Sequence, residues 1–285
     1  MQPAVRNAHQ ILMAIEIRTG DQANLSIVSA AAHNDHHSEI AYLSTWRERM
    51  DKKSEEISEI GWRMVVRFLV YVVLLPFVLF IAAGRLDWTM AWVYVGIHVA
   101  FTLISRLIVF RLSPDTLVER ARSTQADNVA VGDRLMVVIV GLIGPLVIWT
   151  IAGLDDRFGW SPDISFLVQN IALVLVIFGY AVGTWAMITN AFFSAVARIQ
   201  TDRDHRVVSD GPYRIVRHPA YAGGLFSSLG IPLMLGSLWA LIPSGIALVF
   251  LVIRTKVEDK MLMEELPGYT DFAQQTRYRL VPGIW

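Results

Sequence analysis

The stretch from Asn190 to Pro219 concentrates side chains able to do chemistry, and it is the most polar long loop between the apolar segments of this 285-residue chain. Carried into the next segment it reads NAFFSAVARIQTDRDHRVVSDGPYRIVRHPAYAGG. His205 and His218 can each donate or accept a hydrogen bond according to tautomer, and the faces of Tyr213 and Tyr221 attract cations. Asp210-Gly211-Pro212-Tyr213 is turn chemistry, with Gly free to take positive φ and Pro fixing its own φ. Pro219 stands where a helix can begin, because its missing N–H costs nothing there. Loops of this length inside a compact fold are functional or disordered, and this one is not low-complexity. An ordered cap ending at a helix N-terminus is therefore expected.

A second polar cluster, Arg254-Thr255-Lys256-Val257-Glu258-Asp259, follows the last apolar run. Arg254 and Glu258 are four apart and share one helical face. A guanidinium fork matches a carboxylate, and a glutamate accepts from ammonium or hydroxyl groups. The plain alternative is an i,i+4 ion pair at a membrane edge.

The elements that must position these residues are apolar. Hydrophobic residues make up 54% of the chain and charged ones 18%, against about 45–50% and about 25% in soluble domains. Mean hydropathy is +0.46. Zero formal net charge argues against a nucleic-acid partner. The absence of cysteine excludes disulfides, thiol catalysis and Fe–S clusters. No apolar run follows a basic start in the first 60 residues, so a cleaved signal peptide is not expected.

Six apolar stretches stand against the roughly 20 residues that cross a bilayer: Met64–Ala83, Trp88–Phe110, Leu135–Leu154, Ile164–Thr189, Ala222–Gly236 and Leu238–Ile253. The last two are short and meet at Gly236-Ser237, as in a tight helical hairpin. The fold class is thus all-α, a polytopic transmembrane helix bundle of five to seven spans, six favoured, with a cytoplasmic cap. Six crossings put 23 of the 25 Lys and Arg on one side, leaving only Arg85 and Arg157 opposite; the basic side is cytoplasmic. A multi-pass integral membrane protein follows, with both termini and the candidate site cytoplasmic. Trp88, Trp92, Trp149, Trp160 and Trp239 fall near the outer interface. Gly179 and Gly183 form a GxxxG that permits close helix approach, with chance spacing as the alternative.

Three regions result: 1–60, a polar arm expected to be disordered; 61–189, the first four spans; and 190–285, the cap, the hairpin and a cytoplasmic C-terminal helix. Within the arm, His33, His36 and His37 lack the companions of a metal site, so no metal is expected. Met50 is a plausible start for a shorter protein.

The order GPYxxVRHPxYxG, hairpin, RxxxED, Leu266-Pro267-Gly268-Tyr269 and the ending RYRLVPGIW resembles the isoprenylcysteine carboxyl methyltransferase family and the related phospholipid methyltransferases. The likeness covers about Asn190–Trp285. One departure is visible: the family usually has two glutamates after the arginine, and the second is Asp259 here.

The resemblance implies a membrane enzyme using S-adenosyl-L-methionine. Matched by position, the cofactor residues would be Gln200, His205, Arg206, Val207, Val208, Tyr213, His218, Pro219, Ala220, Tyr221 and Glu258. Arg254 would be the catalytic and substrate-binding residue, meeting a lipophilic acceptor that enters from the membrane lipid. An isoprenylcysteine-like carboxylate is the type acceptor, and it needs no general base because it is already ionised at neutral pH. An amine acceptor, as in phospholipid N-methylation, must first lose a proton. A transporter is the non-enzymatic alternative; its signature would be intramembrane ionisable groups, for which His98 and Arg106 are the candidates.

Overall fold

A computed structural model describes residues 66, 69, 70, 72, 76–112, 129 and 132–285. The chain divides into two compact units, residues 1–63 and 64–285. The first unit, with the polar arm and the His33, His36 and His37 cluster, lies outside the described residues, as does most of the loop 113–131.

The described part of the second unit is helical, without strands. In chain order it contains α1 (Phe77–Ala83), α2 (Thr89–Leu112), α3 (Asp133–Val138), a π-helical segment (Ile139–Ile143) and α4 (Gly144–Phe158). Then come α5 (Phe166–Thr189), the 3-10 turns Thr201–Arg203 and Gly211–Arg214, α6 (Pro219–Met234), α7 (Leu241–Glu265) and α8 (Tyr269–Gln275). Among the described residues, three helices are long and apolar enough to cross a membrane: Thr89–Leu112, the continuous Asp133–Phe158, and Phe166–Thr189.

Local chemistry accounts for several boundaries. Ser165 caps α5 by accepting from the Val168 N–H at 3.4 Å. Gly84 and Gly159 end α1 and α4 in the left-handed conformation. Pro219 occupies the first turn of α6. That helix has 16 residues, about 24 Å at a 1.5 Å rise, short of the roughly 30 Å hydrocarbon core. A turn through Gly236, at φ 78°, leads into the 25-residue α7, which runs unbroken past Arg254 and Glu258.

The core gathers α1, α2, α4 and α5 around Leu79, Phe80, Tyr94, Val95, Trp149 and Val176. Glycine sets the closest approach. A Cβ on Gly223 of α6 would lie 2.4 Å from the Gly179 carbonyl oxygen and 2.9 Å from the Gly183 N. A Cβ on Gly183 itself would meet nothing within 4 Å. The GxxxG therefore does bring helices together, with Gly179 at the contact and Gly223 as its partner.

The helix from Asp133 to Phe158 extends beyond the apolar run Leu135–Leu154, so it includes two buried carboxylates, Asp133 and Asp155. Asp155 accepts from Ser161 N–H (2.7 Å), Ser161 Oγ (2.6 Å) and Ser237 Oγ. This pins the end of α4 to the turn between α6 and α7.

Candidate functional site

Residues 190–218 form the cap, with only two 3-10 turns as regular structure, and side chains hold it in shape. Asn190 ends α5, accepts the Phe192 N–H at 2.8 Å, and donates from Nδ2 to the Tyr213 hydroxyl at 3.2 Å. That hydroxyl donates to the Ala186 carbonyl at 3.3 Å. Burial raises the Tyr213 phenol above its ordinary range, so it stays a donor. Gly211 takes φ 56°, which a turn packed against Thr189 and Trp185 requires.

A cavity of about 300 Å³ opens between the cap, α6, α7 and the π segment, at the lower end of the range for small-molecule sites. His205, Arg206, Val207, Val208, Tyr213, His218, Pro219, Ala220, Tyr221, Arg254 and Glu258 all line it. Gln200 does not. Its side chain has no exposed surface and turns into the cap, donating to the Phe192 carbonyl at 2.6 Å and accepting from Arg203 at 2.7 Å.

The His205 Nδ1 accepts the Gln200 N–H at 3.3 Å, which puts the proton of the neutral ring on Nε2. Burial, aided by the charges of Arg198 and Arg203, lowers its pKa to about 4. Tyr221 is the hub of the opposite wall. Its hydroxyl donates to Glu258 Oε2, the Arg254 guanidinium lies 5.3 Å from its ring centre, and the His218 ring stacks on it at 5.8 Å.

Behind that wall, Asp259 is fully buried. It receives Arg217 Nε (2.8 Å) and Nη2 (3.0 Å), Arg279 Nε (2.7 Å), His218 Nε2 (3.1 Å) and the Tyr269 hydroxyl (3.0 Å). Burial alone would raise this carboxyl, but the hydrogen bonds from His218 and Arg217 outweigh it and hold the pKa far below the usual range. Arg217 Nη1 also caps the Thr276 and Arg277 carbonyls at 3.1 Å each. The network thus ties cap, α7 and C-terminal tail together.

Asp133 lies outside the sequence motifs. It is fully buried at the start of α3 and accepts Arg254 Nε at 2.8 Å and Nη2 at 3.3 Å. Its Oδ2 also accepts the Ala197 N–H at 2.7 Å. Arg254 is therefore paired with Asp133 rather than with Glu258. The only outward signal was an acidic residue just before an apolar run.

Comparison with known proteins bears on the same region. The sequence model of the isoprenylcysteine carboxyl methyltransferase (ICMT) family matches residues 172–264. A probable protein-S-isoprenylcysteine O-methyltransferase of Oryza sativa subsp. indica is 35% identical over 71 residues, 25% of this chain and 37% of that protein. The chain thus spans little more than a third of that relative's length. The cobalt-zinc-cadmium resistance protein CzcN of Cupriavidus metallidurans is 29% identical over 140 residues, 48% of this chain and 61% of that one. Among solved structures, the eukaryotic intramembrane Ras methyltransferase ICMT aligns over 85% of this chain and 93% of its own, with 18% identity and a TM-score of 0.43. The resemblance carried by the motifs holds: residues 172–264, from within α5 to the last turn of α7, bear the sequence pattern of the isoprenylcysteine carboxyl methyltransferase family.

Proposed function

We propose that this protein is an S-adenosylmethionine-dependent methyltransferase of the membrane that O-methylates the carboxylate of a lipophilic, isoprenylcysteine-like acceptor. One observation carries the reading: Arg254, Glu258, His205 to Val208 and Tyr213, all within the family-matched residues, line a single cavity. The donor set fits the cofactor. Glu258 can accept from an ammonium or a ribose hydroxyl, Tyr213 and Tyr221 supply aromatic surface, and Val207, Val208 and Leu262 supply an apolar wall for a base. Bound there, the cofactor would supply a sulfonium methyl group: an acceptor carboxylate oxygen gains the C–O bond while the C–S bond breaks and sulfur keeps its electron pair.

The protein's own residues favour a carboxylate over an amine. An amine acceptor must lose a proton to a base. His218 is engaged with Asp259 and Glu258 with Tyr221, and His205, with a pKa of about 4, is a weak base. A carboxylate needs none of them, only orientation by Arg254 and exclusion of water.

A lipophilic acceptor is supported by a second cavity of about 200 Å³ deeper in the bundle. Gly224 and Leu251 line it, each three residues from Tyr221 and Arg254 on α6 and α7, and Val140 of the π segment lines both cavities. The apolar part of the acceptor would lie there. The basic asymmetry of the sequence supports a cytoplasmic site, with both termini on that side.

The test is calorimetry of S-adenosylmethionine with the purified protein in detergent, followed by methyl transfer to N-acetyl-S-farnesylcysteine. Cofactor binding with base-labile methyl ester formation is expected. Absence of cofactor binding by folded protein sinks the reading; binding with methylation of a phospholipid amine instead replaces the acceptor.

A further inference from the structure

The side chain that completes the Arg254 wall comes from outside the family-matched residues. Asp133 has no exposed side-chain surface, and Arg254 is 10% exposed. The carboxylate takes the Nε–Nη2 edge of the guanidinium, and Nη2 also donates to the Ala195 carbonyl at 2.8 Å. Nη1 has no hydrogen-bond acceptor among the described residues, and Arg254 lines the cavity. Asp133 is held in turn by the Ala197 N–H, and Gly132 just before it takes φ 79° to start the helix. A single carboxylate therefore fixes α3, α7 and the cap in one register.

The electrostatic consequence concerns the charge of the site. An unpaired arginine beside a sulfonium repels it, and a bare guanidinium holds a ground-state carboxylate more tightly than a transition state in which that charge is being lost. Resting on the function proposed above, we infer that Asp133 is a positioning residue that orients Arg254 and cancels its charge. The site then accepts a cationic donor and offers the acceptor carboxylate the Nη1 donors of Arg254.

The test compares S-adenosylmethionine, a cation at sulfur, with S-adenosylhomocysteine, neutral at sulfur, by calorimetry on the full chain in detergent. D133N leaves Arg254 uncompensated, so affinity for the cation should fall roughly tenfold relative to the neutral compound, the scale of one unit charge in a partly screened site. R254Q leaves Asp133 uncompensated and should move the ratio the other way. The double variant D133N/R254Q should return it near the wild-type value, and this arm stands even if D133N alone fails to fold. In turnover with N-acetyl-S-farnesylcysteine, D133N should lower both KM and kcat. Ratios unchanged across the set, or both ligands weakened equally, would mean that Asp133 is only structural. Wild-type protein that binds neither compound would instead overturn the proposed function itself.

Discussion

Glu258 and Asp259 are consecutive in α7, about 100° apart around the helix, and meet different partners. Glu258 lines the cavity and takes the hydrogen bond of Tyr221. Asp259, fully buried, turns toward Arg217, Arg279 and the C-terminal tail. Two neighbouring acids thus sit differently, one at the cavity and one within the fold. The aspartate that departs from the family's paired glutamates stands at the inward position.

Exchange at the two positions should separate these roles. E258Q should weaken S-adenosylmethionine binding by roughly 10- to 150-fold, the range for a charge-assisted hydrogen bond, with little change in melting temperature. D259A leaves the buried Arg217 without its carboxylate, along with the partly exposed Arg279, and should cost about 3–5 kcal/mol of stability. Paired melting curves and calorimetry decide it. Similar losses of stability in both variants would mean that Glu258 is also a structural group.

His205 gives a pH signature. In the unfolded chain its imidazole takes up a proton near pH 6.5, whereas in the folded protein it does so only near pH 4. Between those values the unfolded state binds the extra proton, so the stability contributed by neutral His205 falls as pH falls across that window. H205Q does not titrate there. The melting temperature of wild type should therefore drop relative to H205Q from pH 7 to pH 5, modestly because the ring is only half-buried. A relative gain on acidification would mean that the folded site binds the proton.

The legible parts of the fold were those with local signatures. The run Trp88–Phe110 matches α2 within two residues, and Ile164–Thr189 matches α5 within two, because apolar length and a serine cap are contiguous in sequence. Pro219 marked the start of α6 for the same reason. The partner of Arg254 was not legible, since Asp133 lies 121 residues away and nothing local announces the pairing. Asp155 was missed because the apolar run ends just before it, although the helix continues to Phe158. Gln200 was matched through a loop of variable spacing, and its side chain turns into the cap instead of the cavity. Gly223 escaped notice because the GxxxG motif reports one helix only, while the contact needs a small residue on each.

Adjacent glycines of α6 permit a final test of where the acceptor goes. Gly223 packs against α5, where an added Cβ would lie 2.4 Å from a carbonyl oxygen, so G223A should overpack the helix pair by about 1–3 kcal/mol. Gly224 faces the second cavity, where an added Cβ would meet only Leu251 Cδ2, at an ordinary 3.7 Å. G224A should therefore fold as well as wild type, and G224L should fill much of the 200 Å³ space beneath Tyr221 and Arg254. If the lipophilic part of the acceptor occupies that space, G224L raises KM for N-acetyl-S-farnesylcysteine at least tenfold while its affinity for S-adenosylmethionine stays within twofold. A shorter geranyl analogue should lose less than the farnesyl compound. Equal KM values for wild type and a folded G224L would place the acceptor chain elsewhere, along the lipid-facing surface of the bundle.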